Sequence, residues 1–227
     1  MKYGIMGAMP DEVDQLCARL SGVEVQQYAG VEYHQGRLGD KEVVVCCAGM
    51  GKANAAATTQ VLCGKFGAQA IIFSGIAGNM SEEIGIGDVV VGKEVCYHDA
   101  EVSMICQSAP FLKSYTGDPA LVQAALDACA ALGVKAIAGR IATGDTFVGD
   151  GATKAVIAEK VHPDCVEMEG AAVSQIAARN GVPCVVLRAM SDNADESGHE
   201  LLVVKKFSIA EYVTTATAIV ARMLESL

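Results

Sequence analysis

The sequence has no tryptophan, few aromatic residues (5 %) and few charged ones (19 %). Its hydrophobic content of 52 % provides enough apolar surface for a sizeable core, which excludes a disordered chain. Basic residues are also scarce, since 17 Lys and Arg stand against 27 Asp and Glu and leave a net charge of −10. That balance argues against nucleic acid or an anionic membrane surface as the main partner. With so few aromatic side chains, we expect an interior of Ala, Val, Ile and Leu, as in buried parallel strands.

Other patterns are missing as well. No apolar run reaches membrane-spanning length, and the apolar stretch at residues 1–6 is too short for a signal peptide. The nine cysteines are odd in number and contain no C-x-x-C pair, so neither a disulfide framework nor a zinc site is indicated. The four histidines have no H-x-x-x-H spacing. We therefore expect a cytoplasmic protein without metal or cofactor.

Short β-branched runs alternate with Ala-rich stretches of helical period. This alternation predicts an α/β protein, a three-layer αβα sandwich with a central mixed, largely parallel twisted sheet, in a single domain over residues 1–227. The pattern predicts strands near residues 3–6, 31–38, 42–47, 70–74, 88–91, 134–143, 165–167 and 183–190. It predicts helices over residues 10–20, 52–66, 119–132, 151–160, 170–180 and 208–227.

Two glycine motifs suggest phosphate binding but are incomplete. Residues 48–52 resemble a phosphate loop, yet Cys46 stands at its first glycine position and Ala53 replaces the Ser or Thr that holds Mg²⁺. Residues 85–87 begin a dinucleotide fingerprint, but Val90 stands at the third glycine position. The G-x-S-x-G motif of serine hydrolases is absent. Nucleotide-phosphate and serine-nucleophile chemistry are therefore poorly supported.

Acidic residues follow several predicted strands, and ligands of α/β sheets bind at the carboxyl ends of strands. Taken singly, Glu12 and Glu169 are explained as first-turn acids of helices, and Asp192 as a helix N-cap. Arg188 lies in an apolar run and would be costly to bury alone. Its position predicts a carboxylate or a bound polar ligand next to it.

Taken together, seven segments resemble the nucleoside phosphorylase superfamily, and within it the 5′-methylthioadenosine/S-adenosylhomocysteine nucleosidases. The resemblance covers nearly the whole chain. The segments are GIMGAM at 4–9 with Glu12, GMGK at 49–52, GDVVV at 87–91, YHDA at 97–100, GDTF at 144–147, VEME at 166–169 and VLRAMSD at 186–192.

The resemblance implies hydrolysis of the N-glycosidic bond of a purine nucleoside through an oxocarbenium-like transition state. Asp192, held by Ser191, would protonate purine N7, and an apolar environment favours the neutral acid that this step needs. Glu12 would activate water, Arg188 would position that water, and Glu169 would accept the ribose hydroxyls. Phe147 would stack on adenine and the backbone of Val148 would read its edge, while Gly78 would let the backbone approach the ligand. The ribose and the 5′-thioether would contact soft apolar side chains, namely Met9, Met50, Met168 and Phe207.

A phosphorylase is the nearest alternative, but phosphate needs cationic side chains and residues 10–14 are acidic. Two departures from the family pattern concern hydrogen bonding around the base and the pocket for the 5′ substituent, respectively. Ile76 stands where the nucleosidases typically carry a small hydroxyl residue, and the 101–114 loop is divergent and shorter. 5′-Deoxyadenosine or futalosine are therefore alternative substrates.

A non-catalytic nucleoside sensor is a further hypothesis, although a binder needs no acid and base pair. The resemblance also implies a homodimer in which the segment after His98 contributes to the neighbouring site. Methionine salvage is the process it implies.

Overall fold

The structure, a computed structural model, describes residues 1–199 and 210–227. The described residues form ten strands: β1 (Lys2–Gly7), β2 (Ser21–Tyr28), β3 (Val31–Leu38), β4 (Lys41–Cys47), β5 (Ala70–Asn79), β6 (Val89–Tyr97), β7 (Tyr115–Thr116), β8 (Ala136–Thr143), β9 (Cys165–Glu167) and β10 (Cys184–Asp192). They also form eight helices: α1 (Pro10–Cys17), α2 (Lys52–Gly64), α3 (Val102–Ile105), α4 (Pro119–Ala131), α5 (Gly151–Val161), α6 (Gly170–Arg179), α7 (Glu196–His199) and α8 (Ala210–Ser226).

Each predicted strand and helix has a counterpart, but the sequence patterns missed β2, β7, α3 and α7. All eight residues of β2 are exposed, so its sequence shows no buried face. It is held instead by antiparallel pairing with β3. The two residues between these strands, Ala29 and Gly30, both have positive φ (50° and 81°), as a tight hairpin turn requires.

The strands pair in the order β10-β6-β8-β9-β5-β1-β4-β3-β2, with β7 beside β6. Strand β10 also pairs with β5, so that β5, β9, β8, β6 and β10 close into a ring. Among the described residues, five pairings are parallel (β1–β4, β1–β5, β5–β10, β6–β8 and β8–β9). Five are antiparallel (β2–β3, β3–β4, β5–β9, β6–β7 and β6–β10). The sheet is mixed, as predicted; the parallel pairings form its centre, and the hairpins and the ring closure add the antiparallel ones.

Helices pack against both faces of the sheet. Successive strand residues point to opposite faces, and Ile5 and Met6 accordingly enter two different apolar clusters. Helices α1, α4 and α8 cover the face with Ile5, and α2 and α6 cover the face with Met6. No helix in the described residues is both long and apolar enough to cross a membrane.

Candidate active site

A cavity of about 380 Å³ opens where β1, β5, β9 and β10 end, a volume typical of small-molecule sites. Ten of the twelve predicted site residues line it: Met9, Glu12, Met50, Gly78, Phe147, Met168, Glu169, Arg188, Ser191 and Asp192. Val148 is not among the lining residues, because its side chain is buried in a separate apolar cluster; the expected contact of its backbone with the base stays a prediction. Phe207 lies outside the described residues.

Glu12 folds back over the start of its own helix and also faces β5. Its Oε2 accepts hydrogen bonds from the backbone N–H groups of Ala8 (2.7 Å) and Met9 (2.9 Å), and its Oε1 accepts one from Ile76 (3.1 Å). Burial raises the pKa of Glu12 above its ordinary value, while the charge of Arg188 and these N–H groups lower it in part. A carboxylate with a raised pKa is a stronger proton acceptor near neutral pH. The carboxylate both caps α1 and lies in the cavity.

Arg188 is fully buried in the middle of β10. Its Nη2 donates to Glu167 and lies 3.3 Å from Glu169 Oε2, and its guanidinium stacks 4.3 Å over the ring of Phe73. Burial lowers the pKa of Arg188, but the surrounding carboxylates outweigh that effect and raise it. The prediction of a carboxylate beside Arg188 is confirmed. Within the part of the chain that the structure describes, Nε of Arg188 has no hydrogen-bond partner.

Glu167 is the site residue that sequence reasoning missed. It is buried at the end of β9 and accepts hydrogen bonds from the Thr143 hydroxyl and from the backbone N–H groups of Glu169 (3.1 Å) and Gly170 (2.7 Å). One signal was available, since a second acid stands two residues before Glu169 and Arg188 required an acidic partner. The sequence does not say which of the two acids that partner is.

Glu169 connects the start of α6 to the turn before α2. Its Oε1 accepts a hydrogen bond from the backbone N–H of Gly51 at 2.8 Å. Burial raises the pKa of Glu169 to about 7; the charge of Arg188 lowers it, that of Glu167 raises it, and the Gly51 hydrogen bond lowers it. This carboxyl group therefore titrates close to neutral pH.

Asp192 is buried at the end of β10, opposite Gly78 of β5. Its Oδ2 accepts a hydrogen bond from the Ser191 hydroxyl (2.9 Å) and its Oδ1 accepts one from the Ala194 N–H (2.8 Å). A Cβ atom on Gly78 would lie 3.0 Å from Asp192 Oδ1 and 2.8 Å from Ala194 Cβ, so only glycine allows this approach. The N-cap explanation for Asp192 is wrong, because α7 begins at Glu196.

Gly75 and Ile76 of β5 lie beside the Glu12 carboxylate. A Cβ on Gly75 would collide with Arg188 Nη1 and lie 2.6 Å from Glu12 Oε1. Glycine at position 75 thus leaves the space that the side chains of Arg188 and Glu12 occupy. Ile76 lines the cavity, and its backbone N–H donates to Glu12 Oε1.

The charges in the cavity are mainly negative. Of the described lining residues, Glu12, Glu167, Glu169 and Asp192 carry carboxyl groups, and Arg188 is the cation among them. Such a site disfavours an anionic reactant and stabilises positive charge that develops on a bound molecule. It contains separate carboxyl groups that can act as acid and as base.

Comparison with known proteins places the chain in a family. Residues 2–225 match the family model described as "Phosphorylase superfamily". A 5′-methylthioadenosine/S-adenosylhomocysteine nucleosidase of Shewanella sediminis is 42 % identical over 201 residues, which are 86 % of this chain and 87 % of that protein. The chain belongs to the nucleosidase family of the phosphorylase superfamily. The family recognised from the seven sequence segments is confirmed.

Solved structures agree with this family. A nucleosidase of the same name from Colwellia psychrerythraea, crystallised with adenine, superposes with a TM-score of 0.92 at 32 % identity, covering 100 % of this chain and 96 % of that one. The futalosine hydrolase of Helicobacter pylori superposes with a TM-score of 0.89 at 30 % identity, covering 100 % and 98 %. The nucleoside phosphorylase-like α/β fold is therefore confirmed.

Proposed function

We propose that this protein hydrolyses the N-glycosidic bond of 5′-methylthioadenosine and S-adenosylhomocysteine and releases adenine and the 5′-thioribose. One observation carries the proposal: Glu12 and Asp192, which are 180 positions apart in the sequence, line a single cavity with Arg188 and Glu169. Acid–base hydrolysis of a glycosidic bond requires such a pair of carboxyl groups. A protein that only bound nucleosides would not need them.

Asp192 acts as the acid in this reaction. The C1′–N9 bond breaks, its electron pair passes to the purine, and the Asp192 proton goes to N7. The hydrogen bond from Ser191 to Asp192 Oδ2 holds the carboxyl group in one orientation. The direction in which Asp192 donates its proton is therefore fixed.

Glu12 acts as the base. It takes a proton from a water molecule while the oxygen of that water bonds to C1′. Among the residues that the structure describes, the buried Nε atom of Arg188 has no hydrogen-bond partner. It is therefore available to donate a hydrogen bond that orients the water. The raised pKa of Glu12, caused by burial, suits proton abstraction near neutral pH.

The ribose binds at Glu169, whose carboxylate accepts the 2′- and 3′-hydroxyls. The negative side chains around it stabilise the positive charge that grows on the ring. Phe147 stacks on adenine, with the Val148 backbone at the base edge and Gly78 allowing close approach. The methionines (Met9, Met50 and Met168) surround the ribose and the 5′-thioether.

Water rather than phosphate is the nucleophile. The described lining residues hold four carboxyl groups, and their single guanidinium is paired with Glu167 and Glu169. A phosphate dianion would be repelled and would lack a free arginine to bind it.

Base release from 5′-methylthioadenosine, S-adenosylhomocysteine, 5′-deoxyadenosine, inosine and futalosine, measured with and without phosphate, tests the function. We expect fast adenine release from the two thioethers, independent of phosphate. Preference for futalosine would identify the protein as a futalosine hydrolase. Release that requires phosphate would identify a phosphorylase.

The roles of the two carboxyl groups are tested by Asp192→Asn and Glu12→Gln. Each should lower kcat by about 10²–10⁴-fold, because proton transfer contributes a factor of that size, while the dissociation constant for the nucleoside changes little. Asp11→Asn, an exposed acid beside Glu12, is the matched control and should retain wild-type turnover. Near-normal kcat in either site variant would contradict that variant's assigned role.

We further propose that residues 1–227 form one cytoplasmic domain of three-layer αβα type. The helices on both sheet faces support that arrangement. We also propose a homodimer acting in methionine salvage. The segment after His98 presents exposed apolar side chains, Met104, Phe111 and Leu112, which suit an interface.

A further inference from the structure

Lys52 connects three loops that follow different strands of the sheet. It is the first residue of α2, after the turn that leaves β4. Its Nζ donates to both carboxylate oxygens of Asp99 (2.8 and 2.7 Å) in the loop after β6. It also lies 3.5 Å from Asp145 Oδ2 in the loop after β8. One ammonium group thus neutralises two acids from separate loops.

Backbone hydrogen bonds strengthen the same network. The backbone N–H of Lys52 donates to Asp145 Oδ1 at 2.8 Å, and the N–H of Asp145 donates to Asp99 Oδ2 at 2.9 Å. A cation in the first turn of a helix is opposed by the helix dipole. Lys52 is therefore stabilised at this position by the two aspartates and not by its own helix.

The network lies directly behind two walls of the cavity. On one side, Met50 lines the cavity and the N–H of Gly51 holds Glu169. On the other side, Phe147 lines the cavity two residues after Asp145. Met50 is 61 % exposed and Phe147 is 40 % exposed. The Lys52 network joins the two loops that carry these walls.

The turn at residues 48–51, which resembles a phosphate loop in sequence, has a different use here. Gly49 and Gly51 adopt φ values of +84° and +93°, which glycine tolerates. The N–H of Gly51 then points at a carboxylate of the protein itself. The lysine that would bind phosphate in such a loop binds Asp99 and Asp145 instead.

We propose that Lys52 is a positioning residue that sets the substrate affinity of the site by fixing Met50, Gly51 and Phe147 relative to one another. The inference rests on the proposed function, since it assigns these residues to nucleoside binding. Lys52 acts through the walls of the cavity, and the proton-transfer groups Glu12 and Asp192 are held by other contacts. Its loss should weaken binding and leave the chemical step nearly intact.

The experiment compares Lys52→Met, Lys52→Arg and wild type with 5′-methylthioadenosine, whose 5′ group is uncharged. We expect Lys52→Met to raise KM about fivefold, a factor that corresponds to losing partly exposed ion pairs, with kcat within about twofold of wild type. Lys52→Arg should restore most of the affinity. High salt should raise KM for the wild type and not for Lys52→Met, because salt screens the ion pairs.

Lys41→Met is the matched control. Its side chain is 22 % exposed and pairs with Asp40, while that of Lys52 is 23 % exposed; KM should not change. If Lys52→Met does not fold, Asp145→Asn removes the charge at an exposed residue while keeping an acceptor for the backbone N–H, and KM should again rise.

An unchanged KM in both Lys52→Met and Asp145→Asn would overturn the inference, as would a loss confined to kcat. A wild-type protein that releases no adenine would instead overturn the proposed function. The two failures are therefore distinguishable.

Discussion

In the role proposed for it, Glu169 accepts two ribose hydroxyls as a carboxylate, yet burial raises its pKa to about 7. Below that pH the protonated group has lost acceptor capacity. The same raised pKa has a consequence for stability. Because the folded-state pKa lies above the unfolded value, the contribution of Glu169 is fully present below the unfolded pKa and is lost as pH rises through about 7. Ionisation of Glu169 thus favours the proposed binding of the ribose but lowers the stability of the folded protein.

We predict that KM for 5′-methylthioadenosine falls as pH rises through about 7, because the ionised form of Glu169 becomes dominant. Initial rates measured across that range would show the change in KM. Glu169→Gln cannot titrate and should give a raised KM that is flat with pH over the same range. Identical pH profiles of KM in the two proteins would assign the titration to another group.

Three elements meet at the buried pair of Glu167 and Arg188. Glu167 ends β9, holds the start of α6 through two backbone N–H groups, and neutralises a guanidinium of β10. A buried ion pair contributes little net stability when intact, but removal of one partner leaves a costly charge. The packing of these elements at the cavity therefore depends on the contact between Glu167 and Arg188.

We predict that Glu167→Gln lowers the free energy of unfolding by about 3 kcal/mol, the cost of leaving a buried charge without its partner. Urea denaturation would measure it. Glu94→Gln is the control, since Glu94 forms a partly exposed pair with Arg140 and its loss should cost less than about 1 kcal/mol. Equal losses in the two variants would mean that Arg188 is compensated by its other carboxylate neighbours.

At the scale of the whole molecule, the 101–114 segment presents apolar side chains to the exterior. Phe111 is 69 % exposed and adopts a φ of 64°, which is rare for an aromatic residue. Such exposure is unfavourable for an isolated chain and is expected of a surface that a second copy covers. The divergent loop would then complete the site of its neighbour.

We predict that Phe111→Ser shifts the protein from dimer to monomer in sedimentation velocity and lowers kcat/KM, because a completed site needs the partner loop. Val156→Ser removes an apolar side chain that is 65 % exposed on α5 and should leave the dimer intact. A monomeric wild type, or a dimer indifferent to Phe111→Ser, would contradict the proposed assembly.

The sequence by itself determined the class of the fold and most candidate residues. Glu12, Glu169 and Asp192 could be selected because acids at strand ends collect at one edge of an α/β sheet, and Arg188 because a buried cation needs a partner. The strands β5 and β10 were predictable from continuous apolar runs, which reflect burial on both faces. These are local properties of the chain.

Tertiary structure decided what depends on contacts between distant residues. It selected Glu167 as the main partner of Arg188, closed five strands into a ring, and brought Asp99 and Asp145 to Lys52. It also made β2 a strand through its pairing with β3, although its sequence shows no buried face. The physical reason is common to all four: burial and hydrogen-bond partners are set by which segments pack together, and local sequence periodicity does not record that choice.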